Sequence, residues 1–185
     1  LTKEVSRNII TIAGGVHATT LPDRLMQDTN VDYTVLSEGE DRLFTLLDII
    51  KKDDGDFSTM NGLVYRENGK VIKKINHGWF GMKGNGSLDD IYPPDLSIYK
   101  NPEKIFKNQT TKASGGMSTR RSPVGSILTS RGCPYKCSFC ASPVTTGQKM
   151  RFRSPENVLE EIDMLVNDYG VKEIIFQDDE MYADK

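Results

Sequence analysis

All three cysteines of this chain lie in one run, Arg131-Gly132-Cys133-Pro134-Tyr135-Lys136-Cys137-Ser138-Phe139-Cys140. Whatever the fold, a single loop must deliver this CxxxCxxC spacing to one place. Thiolates are the preferred ligands of iron–sulfur clusters, and a four-iron cluster normally takes four of them. A self-contained trio leaves one iron without a protein ligand, and an open metal position is where chemistry happens. A disulfide framework needs an even count, and three is odd. A structural zinc site needs a fourth ligand, but the only histidines, His17 and His77, are far from the cysteines, whereas zinc ligands come in close pairs.

The elements around this run alternate. Residues 8–13 (Asn-Ile-Ile-Thr-Ile-Ala) form a short β-branched apolar run ending at Gly14-Gly15, which predicts a buried strand with a tight exit. Pro22 opens a short helix reaching Met26. Residues 31–36 read as a second strand, and 41–52 as an amphipathic helix with Leu43, Phe44, Leu47 and Ile50 on its apolar stripe. Strand, helix, strand, helix at this pitch predicts an α/β layer with a parallel sheet.

The pattern then changes. Residues 62–66 and 70–75 flank Glu67-Asn68-Gly69, and Asn-Gly between two β-rich runs predicts a hairpin. Residues 76–122 show no sustained period, which predicts a connection laid between two domains, with Trp79 and Phe80 filling a gap there. From 124 to 130 a new strand runs straight into the cysteine loop. Ser154 can cap the helix that follows, with Pro155 at its first position and Val158, Leu159, Ile162, Leu165 and Val166 as its buried stripe. Gly170 ends that helix, and residues 171–177 form the next strand, which delivers Asp178-Asp179-Glu180. A crossover connection makes the two strands parallel, so the cysteine loop and the acidic turn leave from one sheet edge, the edge that carries ligands in α/β folds. Arg151 and Arg153 read as solvated loop arginines.

Composition narrows the function classes. A net charge of −2 provides no basic field for nucleic acid. No apolar run approaches the ~20 residues of a membrane span, and no signal-peptide pattern opens the chain. Cysteines in a cluster motif point to a reducing compartment, hence the cytoplasm. Leu1 and Lys185 both fall inside continuing segments, so a piece of a longer protein is expected.

The cysteine run resembles the signature of the radical S-adenosylmethionine (SAM) enzymes. The resemblance implies that Cys133, Cys137 and Cys140 hold a [4Fe–4S] cluster whose fourth iron is chelated by the SAM amino and carboxylate groups. One electron then cleaves SAM to methionine and a 5′-deoxyadenosyl radical. Phe139 matches the family's aromatic near the adenine. Asp178 and Asp179 occupy the place of a run that accepts a hydrogen bond from the SAM ammonium, a task suited to carboxylates. The family also implies an external reductant such as flavodoxin or ferredoxin, and a small-molecule substrate.

A second resemblance lies upstream. Gly14-Gly15-Val16-His17-Ala18-Thr19, Pro22 and Glu38-Gly39-Glu40 are similar to the cobalamin-binding domain that precedes the barrel in one radical SAM class. It implies that Gly14 and Gly15 let the backbone approach the cofactor tail, with His17 near it. The expected organisation is α/β throughout. Residues 1–54 would be the C-terminal part of a Rossmann-like cobalamin-binding domain, and 55–122 a hairpin and interdomain connection. Residues 123–185 would be the first strand–helix–strand of a partial (β/α) radical SAM barrel. The expected cofactors are a [4Fe–4S] cluster, SAM and cobalamin, and the expected activity of the parent is cobalamin-dependent methyl transfer. Ring formation by a related radical enzyme, or a non-catalytic iron–sulfur module, are the alternatives.

Overall fold

The structure, a computed structural model, describes residues 2–52, 55–75, 87–91, 93–107 and 119–181. In chain order its elements begin with α1 (Thr2–Val5), β1 (Ile12–Ala13), α2 (Val16–Thr20), α3 (Pro22–Leu25), β2 (Tyr33–Val35) and α4 (Glu40–Lys52). A hairpin of β3 (Leu63–Glu67) and β4 (Lys70–Lys74) follows, then α5 (Glu103–Lys107), β5 (Val124–Ile127) and β6 (Ser130–Arg131). The remainder is α6 (Ser142–Thr145), β7 (Arg151–Phe152), α7 (Pro155–Asn167) and β8 (Glu173–Phe176). His77, Trp79 and Phe80 lie outside the described residues. The chain divides into two compact units, one built from Leu1–Gly86 and Gly132–Lys149, the other from Ser87–Arg131 and Met150–Lys185.

The first unit is a four-stranded sheet in the order β1-β2-β3-β4. β1 and β2 are parallel, Ile12 opposite Tyr33, whereas β2 and β3 are antiparallel, Thr34 opposite Val64. The hairpin turns on Asn68 (φ 49°) and Gly69 (φ 77°), the two positive-φ positions that a tight two-residue turn demands. Because β3 bonds to β2, the sheet runs on past residue 54, and the hairpin belongs to the α/β layer rather than to a connection. Alternation along the strands builds a core on each face. Val35, Leu63 and Tyr65 pack with Leu46 and Ile49 of α4 on one side; Leu36 and Val64 pack with Met26 on the other.

The face of α4 differs from the expected one. Leu46 and Ile49 are buried and Ile50 packs beside them, but Leu43, Phe44 and Leu47 are exposed. The helix is apolar on two sides, so its period fits either orientation. Arg42 decides it: this side chain turns inward, its Nε donating to the Asn61 carbonyl at 2.8 Å and its Nη1 to the Glu38 carbonyl at 2.6 Å.

In the second unit β5 and β8 are parallel, Val124 opposite Glu173 and Ile127 opposite Phe176, with α7 between them in the chain. Ser154 caps α7, its hydroxyl accepting from the Asn157 N–H at 3.2 Å. The Gly170 N–H donates to Val166 and the Val171 N–H to Leu165, closing the helix. The core joins Ile127, Leu165 and Val171 to Phe106 of α5. Leu96 and Phe106 are therefore packed into this unit rather than laid across a surface. The stripe of α7 is also narrower than expected. Val158, Ile162 and Leu165 pack inward, while Leu159 and Val166 on its flanks are exposed. Glu161 takes up buried helix surface because Arg153 pairs with it there.

Candidate functional site

The cysteine loop leaves β6 through Gly132, at φ +99°. A Cβ there would overlap the carbonyl of Lys149, so only glycine lets the chain enter the loop along this path. The Cys133 N–H donates to the Gly147 carbonyl at 3.1 Å, closing the base of the loop. Residues 133–140 form no helix or strand, and the Cys140 N–H donates to the Cys137 carbonyl at 3.1 Å across the turn at Ser138-Phe139. Cys133 is half-buried, Cys137 and Cys140 are exposed, and none is in a disulfide. Phe139 is 90% exposed, an unusual setting for a large apolar ring. After the loop, the Ser142 N–H donates to the Cys140 sulfur at 3.4 Å and starts α6.

The glycine loop belongs to the same unit. Gly15, at φ +87°, has nothing within 4 Å of where a Cβ would stand. Its neighbour Gly14 is likewise exposed, and His17 lies exposed within α2. α2 packs against α6, so the segment after the glycines meets the segment after the cysteines. A hydrogen bond reinforces this contact, the Ser37 hydroxyl donating to the Thr145 carbonyl at 2.8 Å.

Asp178 belongs to the second unit. Its Oδ1 accepts from the N–H groups of Thr129 and Ser130 at 2.9 and 2.5 Å, and from their hydroxyls at 2.9 and 2.6 Å. Its Oδ2 is buried with no hydrogen-bond partner among the described residues. Buried polar atoms without a partner are rare, and each one asks for an explanation. Asp179, next along, is exposed. Arg153 is not the solvated loop residue expected. Its guanidinium pairs with Glu161, donates from Nε to Asn157 Oδ1 at 2.6 Å and from Nη1 to the Leu128 carbonyl at 3.0 Å.

Sequence reasoning missed Ser37, Ser142, Thr129 and Ser130, and gave no role to Gly132. Gly132, directly before the first cysteine, carried a readable signal. The others are small polar residues with no pattern to mark them.

The fold defines an α/β protein that joins a Rossmann-like sheet to the opening of a (β/α) barrel. Residues 127–185 match the model of the radical SAM superfamily. The chain is 32% identical, over all of its length, to an uncharacterized methyltransferase of Pyrococcus horikoshii, covering 36% of that protein. It is 31% identical over 97% of its length to the cytidylyl-2-hydroxyethylphosphonate methyltransferase of Streptomyces wedmorensis, again covering 36%. It shares its fold with the radical SAM methyltransferase TsrM from Kitasatospora setae, whose structure holds cobalamin and a [4Fe–4S] cluster. The TM-score is 0.62 at 20% identity, over 96% of this chain and 32% of that one. The chain thus spans about a third of the length of these proteins. Among the described residues, no helix is long and apolar enough to cross a membrane.

The residues present fit the groups that this family uses. Three thiols on one irregular, accessible loop are the donor chemistry of an iron–sulfur cluster. Among the described residues no three His, Cys, Asp or Glu side chains converge to hold one metal ion. A cubane asks for something different, since each thiolate takes its own iron. The unpartnered Asp178 Oδ2 suits an ammonium donor, and the open space over Gly15 suits a group approaching the backbone.

Proposed function

We propose that this chain is the part of a cobalamin-dependent radical SAM methyltransferase that carries the cluster loop and one face of the cobalamin site. In this reading Cys133, Cys137 and Cys140 hold the cluster, and Phe139 lies against the SAM adenine. Asp178 and Asp179 accept from the SAM ammonium, and Gly14, Gly15 and His17 face the cobalamin tail. When bound, the cluster supplies the electron that cleaves SAM and cobalamin carries a methyl group to carbon. The chain's own residues orient and shield. Gly132 admits the loop to its path, Ser142 donates to the Cys140 sulfur, and the Thr129-Ser130 corner fixes Asp178. Hydrogen bonds to a cluster sulfur raise its reduction potential, so the Ser142 N–H favours electron uptake. The reductant would be a small cytoplasmic electron carrier such as flavodoxin or ferredoxin, and the substrate a small molecule. Residues 1–54 with the hairpin would complete the cobalamin-binding domain, and 123–185 would open the barrel.

The observation that carries this reading is that one compact unit contains both the glycine loop and all three cysteines, with α2 packed on α6. The test is anaerobic reconstitution of the full-length protein with iron, sulfide and hydroxocobalamin. About four irons per chain and one cobalamin are expected. Cys137→Ala should lose the iron and keep the cobalamin. Stoichiometric zinc with no iron uptake would overturn the cluster, and absence of cobalamin at high micromolar concentration would overturn the methyl-transfer reading.

A further inference from the structure

Ser37 combines three features that nothing in the sequence announces. Its φ is +59°, one of two non-glycine residues of the described chain on the positive side. Such a backbone costs on the order of 1–3 kcal/mol and persists only where its surroundings over-determine it. Here they do. Arg42 Nη1 donates to the carbonyls on both sides of Ser37, to Leu36 at 3.3 Å and to Glu38 at 2.6 Å.

The groups that Ser37 exposes in this conformation reach in two directions. Its N–H donates to the Thr19 hydroxyl oxygen at 2.7 Å, and that hydroxyl donates to the Gly15 carbonyl at 2.9 Å. Its own hydroxyl donates to the Thr145 carbonyl at 2.8 Å, in the last turn of α6. At the other end of α6 the Ser142 N–H reaches the Cys140 sulfur at 3.4 Å. A chain of hydrogen bonds and one helical turn therefore runs from the backbone of the glycine loop to a cysteine of the cluster motif. Ser37 is its middle link, and the two segments it joins are 108 residues apart in sequence.

We infer that Ser37 is a positioning residue. It fixes the cysteine loop against the glycine loop, and so sets the separation of the cluster and the cobalamin. This rests on the reading above that those two loops carry those two groups. At φ +59° the Ser37 N–H faces Thr19 while its hydroxyl faces Thr145. The strain at Ser37 is retained because it supplies that geometry.

The test uses the full-length protein with Ser37→Ala, which removes the hydroxyl; Ser37→Gly, which also relieves the positive φ; and Ser37→Asn, which tolerates it and keeps a donor. The first readout is amide hydrogen exchange without cofactors. In Ser37→Ala and Ser37→Gly the amides of residues 142–147 should exchange about 2- to 12-fold faster, the worth of one ordinary hydrogen bond. The core strands should be unchanged, and Ser37→Asn should restore part of the protection. The second readout is the magnetic coupling between the reduced cluster and cob(II)alamin in electron paramagnetic resonance, which reports their separation. It should change in Ser37→Ala at unaltered iron and cobalamin content. Wild-type exchange in residues 142–147 of both Ser37→Ala and Ser37→Gly would overturn the inference. So would altered exchange with unaltered coupling, which would make the link structural only. A wild-type protein that takes up neither group defeats the functional reading instead, and hydrogen exchange then decides the link by itself.

Discussion

Gly132 and Lys149 stand at the two ends of the cysteine segment, and the carbonyl of Lys149 occupies the space that a Cβ on Gly132 would need. The loop closes on itself here, with the Cys133 N–H donating to the Gly147 carbonyl at 3.1 Å. The three thiols are thus presented from a pinched base rather than from an open excursion.

Gly132→Ala should therefore harm the protein more than an alanine in the other glycine turn. The φ of +99° alone costs roughly 1–3 kcal/mol. The overlap with backbone at Lys149 adds to it, since backbone cannot swing aside as a side chain can. Gly15→Ala shares the backbone strain, at φ +87°, but meets nothing within 4 Å. Thermal melts of both variants, with iron content after reconstitution, check this. Gly132→Ala should melt lower and load less iron; equal melting of the two would show that the base of the loop yields.

The contact between Lys3 and Asp32 predicts an acid dependence of stability. The Lys3 ammonium lies 2.6 Å from Asp32 Oδ2, and the same oxygen accepts from the Thr11 N–H at 2.8 Å. Burial pushes the Asp32 carboxyl up, but the Lys3 and Thr11 hydrogen bonds and the charge of Lys3 outweigh it, leaving the group below the usual carboxylate range. A folded-state pKa below the unfolded value means that the unfolded chain binds the proton first. The stabilisation is complete above the unfolded pKa of about 4 and is lost as pH falls through the lower folded value. Urea melts of wild type and Asp32→Asn at pH 7 and pH 3 test it. The wild-type advantage should be present at pH 7 and shrink at pH 3; an advantage that is the same at both would show that the carboxylate is not what holds Lys3 and Thr11.

What the sequence disclosed, and what it hid, follows from the range of the interactions. The hairpin was legible because Asn68-Gly69 is a local demand of the turn. The Ser154-Pro155 start of α7 was legible for the same reason, since a cap needs only its next few residues. The α4 face was not, because Leu43, Phe44 and Leu47 make as good a stripe as Leu46 and Ile49. The choice was made by Arg42 reaching the Asn61 carbonyl, a contact with no local signature. The spacing of the cysteines marks them as one group, and the structure carries all three on one loop. Ser37 has no such mark, since its role depends on a backbone angle and on Thr145, 108 residues away.

Asp178 shows the same division inside one side chain. Its chemistry was readable as a carboxylate delivered by a strand, but its two oxygens do different things. Oδ1 is occupied by Thr129 and Ser130, holding the corner that leads into β6, while Oδ2 is buried and unpartnered among the described residues. If the SAM ammonium is that partner, the two jobs separate by mutation. Asp178→Asn keeps an acceptor at the corner and loses the charge. It should weaken SAM binding by about 10- to 150-fold, the cost of one charge-assisted hydrogen bond, with iron content unchanged. Asp178→Ala loses both jobs and should also melt at a lower temperature, since the four donors of Thr129 and Ser130 are left without their acceptor. Asp179, which is exposed, should matter less for both properties when changed to alanine. SAM affinity is measured by its perturbation of the cluster signal in electron paramagnetic resonance, and stability by melting. Wild-type SAM affinity in Asp178→Asn would leave this residue only its structural job at the Thr129-Ser130 corner, and the ammonium would have to be held elsewhere.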